Sequence, residues 1–185
     1  LVALAQRDAA EARLKLLETQ LEPHMLFNTL ANLRVLVAHD PARAQQMLNH
    51  LIAYLRATLG ASRSTEHPLQ AEFDRLRDYL ALMAVRMGPR LRYTLDLPDD
   101  LADQPVPTLL LQPLVENSIT HGLEPQVAGG HISVQARRDG PRLVLTVTDS
   151  GVGLDTPTTH PGGGFGLAQV RERLVTAYGP QGAIE

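Results

Sequence analysis

The 185-residue chain contains no cysteine and no tryptophan, and Lys15 is its single lysine. The absence of cysteine excludes a disulfide framework and a thiolate metal site, and it fits a reducing compartment. Aromatic residues make up only 4% of the chain, so its core must be built from Leu, Val, Ile, Met and Ala. Because Lys15 is the only lysine, any phosphate-binding site must use arginine, backbone N–H groups or a metal ion instead of a loop lysine.

Charge and hydropathy exclude further classes of protein. The formal net charge is -3 without a basic excess, so no nucleic-acid partner is predicted. No apolar run approaches the roughly 18 residues of a membrane span, and no signal-peptide pattern opens the chain. The length of 185 residues is enough for one or two small domains, and the hydrophobic content of 44% fits a globular protein. The chain begins at Leu1 within a helical pattern and stops at Glu185 in a turn or at the start of a strand. We therefore expect it to be a piece of a longer protein.

The first 60 residues have the pattern of helices. Residues 1–22 are rich in strong helix formers and predict an amphipathic helix that Pro23 interrupts. Helical spacing of apolar residues then resumes on both sides of a stop-and-turn signal at Asp40. A hairpin of two such helices has too little core of its own, so two copies are predicted to form a four-helix dimer.

The rest of the chain mixes helices with strands. A polar linker over 61–68 precedes a helix whose apolar stripe predicts core packing; its members are Leu69, Phe73, Leu76, Leu80, Met83 and Met87. Alternating residues in 91–97, 132–136 and 143–149 predict antiparallel strands, the last two joined by a hairpin turn at Asp139-Gly140. Loops are expected over 98–107 and 122–130, and a last helix over 167–178. The pattern predicts an α+β layer fold.

The stretch from Leu111 to Gly122 places polar groups in an apolar run and is predicted to be a helix that leads into a loop. Pro113 is tolerated there in a first helical turn. Glu116 and Asn117 lie side by side, and a carboxylate with an amide in such a place needs partners. Those partners are either surface water or a hydrated magnesium ion carrying nucleotide phosphates.

Two glycine clusters follow. Asp149 at a strand end precedes Gly151 and Gly153; its carboxylate can accept a hydrogen bond from an exocyclic amine while the glycines let the backbone approach a flat ring. An ordinary turn is the alternative. The run from Gly162 to Gly166 opens the next helix at Leu167, where free N–H groups and the helix dipole can bind an anion. A flexible linker is the alternative there.

Taken in order, these three segments resemble the N, G1 and G2 boxes of the GHKL ATP-binding fold of histidine kinases, gyrase-type ATPases and Hsp90-type chaperones. The resemblance implies that Asn117 coordinates Mg²⁺, that Asp149 reads the adenine amino group of ATP, and that the G2 glycines flank the phosphates. It further implies a nucleotide site lined by His121, Gly122, Gly151, Gly153, Gly162, Gly163, Gly164, Phe165, Gly166 and Leu167.

The resemblance becomes narrower upstream. The run Leu21-Glu22-Pro23-His24-Met25-Leu26-Phe27-Asn28-Thr29-Leu30 is similar to the phosphoacceptor box of LytS-type sensor histidine kinases. Three further segments are similar to other parts of the same family: Tyr79 to Arg86, Gln112 to Gly122, and Gly166 to Gly179. This family implies that His24 is phosphorylated from Mg-ATP, which makes the chain an ATP-dependent protein-histidine kinase. A neutral imidazole is a suitable nitrogen nucleophile for that reaction.

The family also implies an architecture and partners. We expect a signalling helix over 1–22, a dimerising hairpin with the phosphoacceptor over 23–62, and a GHKL (Bergerat-type) α/β sandwich over 63–185 that lacks its last strand or strands. The expected partners are a second copy of the chain and a response regulator, possibly of the LytTR type, with no direct contact to nucleic acid. A membrane would be reached only through an upstream sensor, so the chain is expected to be a cytoplasmic domain of an inner-membrane-anchored bacterial protein.

Departures from the family leave three points open. Met25 stands where other subfamilies carry an acidic residue, so the general base is unassigned and Glu116 and Glu22 are candidates. Thr120 and Gln169 replace a common Lys and Asn, which motivates a degenerate, nucleotide-binding dimeric scaffold as one alternative. A GHKL ATPase in which Glu116 activates water is the other.

The remaining histidines are predicted at the surface: His39, His50, His67, His131 and His160.

Overall fold

The computed structural model describes residues 23–61, 65–153 and 165–184, which form five α-helices and two small β-sheets. The predicted signalling helix over 1–22 and the glycines at 162–164 lie outside these ranges. In the described part, no helix combines the length and the apolar character that crossing a membrane requires.

A helical hairpin opens the described part. Helix α1 spans Pro23–His39 and helix α2 spans Pro41–Ala61, with Asp40 alone between them. Asp40 Oδ1 accepts the backbone N–H of Arg43 at 3.1 Å, as an N-cap residue does. Pro41 takes the first helical position, where a missing N–H has no intrahelical partner to lose. The predicted turn at Asp40 is confirmed.

Helix α3, Leu69–Met87, carries the predicted apolar stripe, and every member of that stripe is buried. The helix ends at Gly88, whose φ of +61° lies in the left-handed region that favours glycine. Helix α2 packs against α3, because Met47, Leu51 and Tyr54 belong to the same buried cluster as the stripe. The hairpin and the α/β part therefore share one hydrophobic core.

The larger sheet has three strands in the order β2–β4–β5. Strand β2 is Leu91–Asp96, β4 is Gly130–Asp139 and β5 is Arg142–Asp149. Strands β4 and β5 form the predicted hairpin, with Val134 opposite Val147 and Gly140 in the turn at φ +57°. The inner face of β4 is buried and faces the helices through Ile132, Val134 and Ala136.

One strand pairing differs from the prediction. Strands β2 and β4 run parallel, with Leu95 opposite Val134, although antiparallel strands were expected throughout. The chain between them passes through a helix, and such a crossover returns it to the starting edge of the sheet in the same direction. Alternation of apolar residues marks a strand but does not encode its direction, so the sequence pattern could not distinguish the two cases.

A second sheet was missed. Strand β1, Glu66–Pro68, pairs antiparallel with β3, Pro105–Pro107, where a polar linker and a loop were predicted. Each strand has only three residues and contains proline, so neither shows the alternation on which strand prediction depends. This two-stranded sheet pairs the segment directly before α3 with the loop that follows β2.

Two further helices complete the fold. Helix α4, Gln112–Asn117, continues into a wider π-helical turn, Ser118–Leu123, where the sequence predicted a helix leading into a loop. Helix α5, Phe165–Tyr178, contacts α4 and is followed by a short turn, Gly179–Gln181, where the predicted last helix over 167–178 also ends. Helices packed on a sheet give the α+β layers expected from the pattern.

Candidate functional site

Helix α4 and the π-helical turn that follows it carry two of the predicted site residues, Asn117 and His121. Pro113 lies in the first turn of α4, and Val115 in α4 and Ile119 in the π-helical turn are both fully buried. The side chains of Asn117 and His121 are half-buried and lie four residues apart, which places them on neighbouring turns of the same face. The apolar side therefore fixes α4 against the core and leaves an amide and an imidazole near the surface.

The segment after α4 meets the end of strand β5 backbone to backbone. A Cβ atom added to Gly151 would lie 2.5 Å from Gly122 Cα, closer than any side chain could approach. The Val152 N–H donates to Gly122 O at 3.3 Å across the same contact. Only glycine fits at this crossing, so the structure brings together two segments that were linked in the sequence solely by their motifs.

Asp149 sits beside this contact. Its Oδ1 accepts the backbone N–H of Gly151 at 2.9 Å and lies 3.0 Å from the position of a Cβ on Gly122. The residue is exposed at the carboxyl end of β5, so its carboxylate is oriented by the turn yet open to solvent. Gly153 follows at φ +83°, in the left-handed region. The arrangement can accept a hydrogen bond from a flat ring placed over the glycines.

Two arginines that the sequence analysis did not assign fix the loop between α4 and β4. Arg90 Nη2 donates to Glu124 O at 3.1 Å and to Gln126 O at 2.6 Å. Arg86 forms an ion pair with the Glu124 carboxylate. Gly129 crosses so close to Arg90 O that a Cβ there would lie 1.9 Å away. The signal available in the sequence was the pair of arginines flanking Gly88-Pro89, directly before a strand.

Glu116 points to the helical hairpin. Its Oε1 accepts hydrogen bonds from Tyr54 Oη at 3.0 Å and from Gln112 Nε2 at 2.7 Å. Tyr54 was not recognised as part of the site, because an apolar stripe in α2 explains a buried tyrosine equally well. The candidate base therefore occupies a hydrogen-bonded position next to Asn117, and its role as a base stays a prediction.

Glu72 on α3 anchors the entrance to α4. This fully buried carboxylate accepts the Leu110 N–H at 3.2 Å through Oε2, which also lies 2.7 Å from His67 Nε2. Leu109, just before, is held at φ +57°. The prediction that His67 lies at the surface is wrong: its side chain is 11% exposed because the buried carboxylate needs a partner. Desolvation lowers the pKa of the neighbouring Arg75, and the Glu72 charge opposes that shift.

The structure describes only some of the remaining predicted site residues. His24 is the second residue of α1, and Phe165, Gly166 and Leu167 form the first turn of α5, as expected for a glycine run that opens a helix. Gly162, Gly163 and Gly164 lie outside the described residues. Across 23–61, 65–153 and 165–184, no group of three or more His, Cys, Asp or Glu side chains could hold a metal ion.

Comparison with known proteins identifies both parts of the chain. Residues 12–91 match the histidine kinase family, and residues 102–185 match the histidine kinase-, DNA gyrase B- and HSP90-like ATPase family. The chain is 34% identical over 179 residues to the sensor histidine kinase BtsS of Escherichia coli K12, an alignment that covers 95% of this chain and 31% of the relative. It is 29% identical over 184 residues to the sensor protein LytS of Enterococcus faecalis, covering 94% of this chain and 31% of the relative.

Among solved structures, the histidine kinase domain of a blue-light activated kinase from Erythrobacter litoralis is similar at 15% identity with a TM-score of 0.46. That match covers 87% of this chain and 81% of the other. The chain belongs to the sensor histidine kinases of the LytS type, with a helical hairpin followed by a GHKL α/β sandwich. It spans about a third of the length of the curated relatives that it matches.

Proposed function

We propose that this chain is the catalytic region of a homodimeric sensor kinase that transfers the γ-phosphoryl group of Mg-ATP to His24. The phosphoryl group then passes to an aspartate of a response regulator, for which the LytTR type is the expected class. One observation carries the proposal: Gly122 after the Asn117 helix lies in backbone contact with Gly151 beside Asp149. This contact joins the two motifs that a GHKL domain uses to bind a nucleotide.

The residues present fit Mg-ATP. The glycine crossing holds the segment after Asn117 directly beside the exposed Asp149 carboxylate, which can accept a hydrogen bond from the adenine amino group. Asn117 supplies an amide oxygen of the hard type that magnesium prefers, and the phosphates and water would supply the rest. The G2 glycines before α5 would donate N–H groups to the phosphates. Bound magnesium would neutralise charge on the β- and γ-phosphates.

The chemistry at His24 follows from its imidazole. A ring nitrogen forms a bond to the γ-phosphorus while the bond from that phosphorus to the bridging oxygen of ADP breaks, and the ring gives up a proton. Phosphoryl transfer needs in-line positioning and charge neutralisation more than covalent help from the protein. Glu116 and Glu22 remain the candidate acceptors of the proton. In this proposal residues 23–62 carry the acceptor and residues 63–185 carry the nucleotide.

An exposed apolar face supports the dimer. Phe27 is 70% exposed and Leu30 is 51% exposed on α1, and Ile52 is 41% exposed on α2. Phe27 and Leu30, three residues apart, lie on one side of α1, and exposed apolar side chains of this kind are typical of an interaction surface. A second hairpin packed against this face would bury them in a four-helix bundle, the solution that the length of the hairpin predicts.

The test is incubation with Mg and γ-labelled ATP of the wild type, His24→Ala and His39→Ala. His39 is the matched control, since it lies at the other end of the same helix with Nδ1 2.9 Å from Val35 O. We expect an acid-labile, base-stable label on the wild type and on His39→Ala only. If nucleotide binding is demonstrated but neither the wild type nor a variant is labelled, the scaffold would replace the kinase as the proposed function.

The ATPase alternative predicts steady phosphate release that does not depend on His24. It gives no role to His24, which lies in the region that matches the histidine kinase family. The kinase is therefore the function that the site supports best.

A further inference from the structure

A closed ring of three hydrogen bonds joins helix α2 to helix α4. Tyr54 Oη donates to Glu116 Oε1 at 3.0 Å, and Gln112 Nε2 donates to both Tyr54 Oη at 2.8 Å and Glu116 Oε1 at 2.7 Å. A tyrosine hydroxyl has one hydrogen and an amide has two, so each hydrogen has its own acceptor. The three side chains act as one unit although 62 residues separate Tyr54 from Glu116.

Burial makes this ring stiff. Tyr54 is fully buried and Gln112 is 2% exposed, and the Tyr54 ring packs against Tyr79 with 5.6 Å between ring centroids. Water cannot readily replace a lost partner at such a place, so a broken hydrogen bond leaves a buried polar group without compensation. The ring is therefore held in one geometry.

The ring also sets the position of Asn117. Helix α4 has six residues and the π-helical turn that continues it has six more, and so short a helical segment has little stability of its own, so its place depends on anchors. Glu116 and Asn117 are adjacent, which turns their side chains about 100° apart around the helix axis. Glu116 can therefore be held by the hairpin while Asn117 is directed to a different side of the helix.

We propose that Tyr54 is a positioning residue for the magnesium-nucleotide site, which it holds through Glu116 and the neighbouring Asn117. The inference rests on the proposed function, in which Asn117 is the magnesium ligand. A shift of α2 by about 1 Å would stretch the Tyr54–Glu116 hydrogen bond beyond its useful range. The hairpin would in this way control magnesium-dependent nucleotide affinity without touching the nucleotide.

The experiment compares Tyr54→Phe with the wild-type chain. This change removes the hydroxyl and keeps the ring packing against Tyr79. Calorimetric titration with ATP, once in Mg²⁺ and once in EDTA, gives two Kd values whose ratio reports the magnesium contribution. We expect the Kd in EDTA divided by the Kd in Mg²⁺ to fall by about tenfold or more, the size of one lost hydrogen bond to a charged partner. Tyr93→Phe, which removes a hydroxyl from strand β2, should leave the ratio unchanged.

A second variant distinguishes loss of the hydrogen bonds to Glu116 from misfolding. Gln112→Met keeps the length of the side chain and removes its amide, so it should lower the ratio in the same way. The double variant should lower the Kd ratio no further than the single variant with the larger effect, because both changes act through Glu116. A lower Tm for Tyr54→Phe with an unchanged ratio would reduce Tyr54 to a packing residue and overturn the inference. Absence of ATP binding by the wild type would instead overturn the proposed function, and this inference with it.

Discussion

The contact between Gly122 and Gly151 allows a quantitative prediction for Gly151→Ala. The added Cβ would lie 2.5 Å from Gly122 Cα and 2.7 Å from Asp149 Oδ1. Carbon atoms in contact are about 3.5–4.0 Å apart, so the two backbones must separate by about 1 Å or more. The hydrogen bond from Val152 N to Gly122 O, now 3.3 Å, would then exceed about 4 Å and break.

Two effects should follow from that separation. Overpacking of this kind costs about 1–3 kcal/mol of folding free energy. The displaced Asp149 and Asn117 segments should weaken Mg-ATP binding at least about tenfold, which corresponds to about 1.4 kcal/mol. Calorimetric titration measures the second effect, and thermal unfolding without nucleotide measures the first.

Gly140→Ala is the matched control. No atom lies within 4 Å of a Cβ on Gly140, but its φ of +57° is strained for alanine. This variant should lose about 1–2 kcal/mol of stability and keep its nucleotide affinity. Folded Gly151→Ala protein that binds Mg-ATP as the wild type does would refute the assignment of this crossing to the nucleotide site.

Three further predictions concern the dimer, the loop and the pH response. Phe27→Asp should convert a dimer to a monomer in sedimentation, whereas Val127→Asp, 91% exposed elsewhere, should not; equal behaviour of the two would contradict the dimer face. Arg90→Met should cost about 1–3 kcal/mol in urea unfolding because it removes the nitrogen that donates to two backbone carbonyls, against about 0.5 kcal/mol or less for the exposed Arg92→Met. Desolvation raises the pKa of Asp78 above 3.8, so the stability that its proton provides is present below pH 3.8 and lost as the pH rises through the raised value. Asp78→Asn should therefore raise the urea midpoint at neutral pH and match the wild type below pH 3.8.

Local sequence determined the elements of this protein. Pro41 after Asp40, Gly88 at positive φ and the stripe from Leu69 to Met87 each act within a few residues, through backbone sterics and helical periodicity. The motif residues Asn117 and Asp149 were likewise found from their neighbours in sequence. Such signals are readable in one chain because the physics that produces them is local.

Tertiary structure alone decided how these elements meet. The parallel pairing of β2 with β4, the anchoring of the loop by Arg90 and the link from Tyr54 to Glu116 join residues far apart in sequence. A single polar side chain that reaches one distant partner leaves no periodic trace, and neither does the direction of a strand. The sequence therefore determined which residues could form a nucleotide site, while packing around one shared core determined which residues hold that site in place.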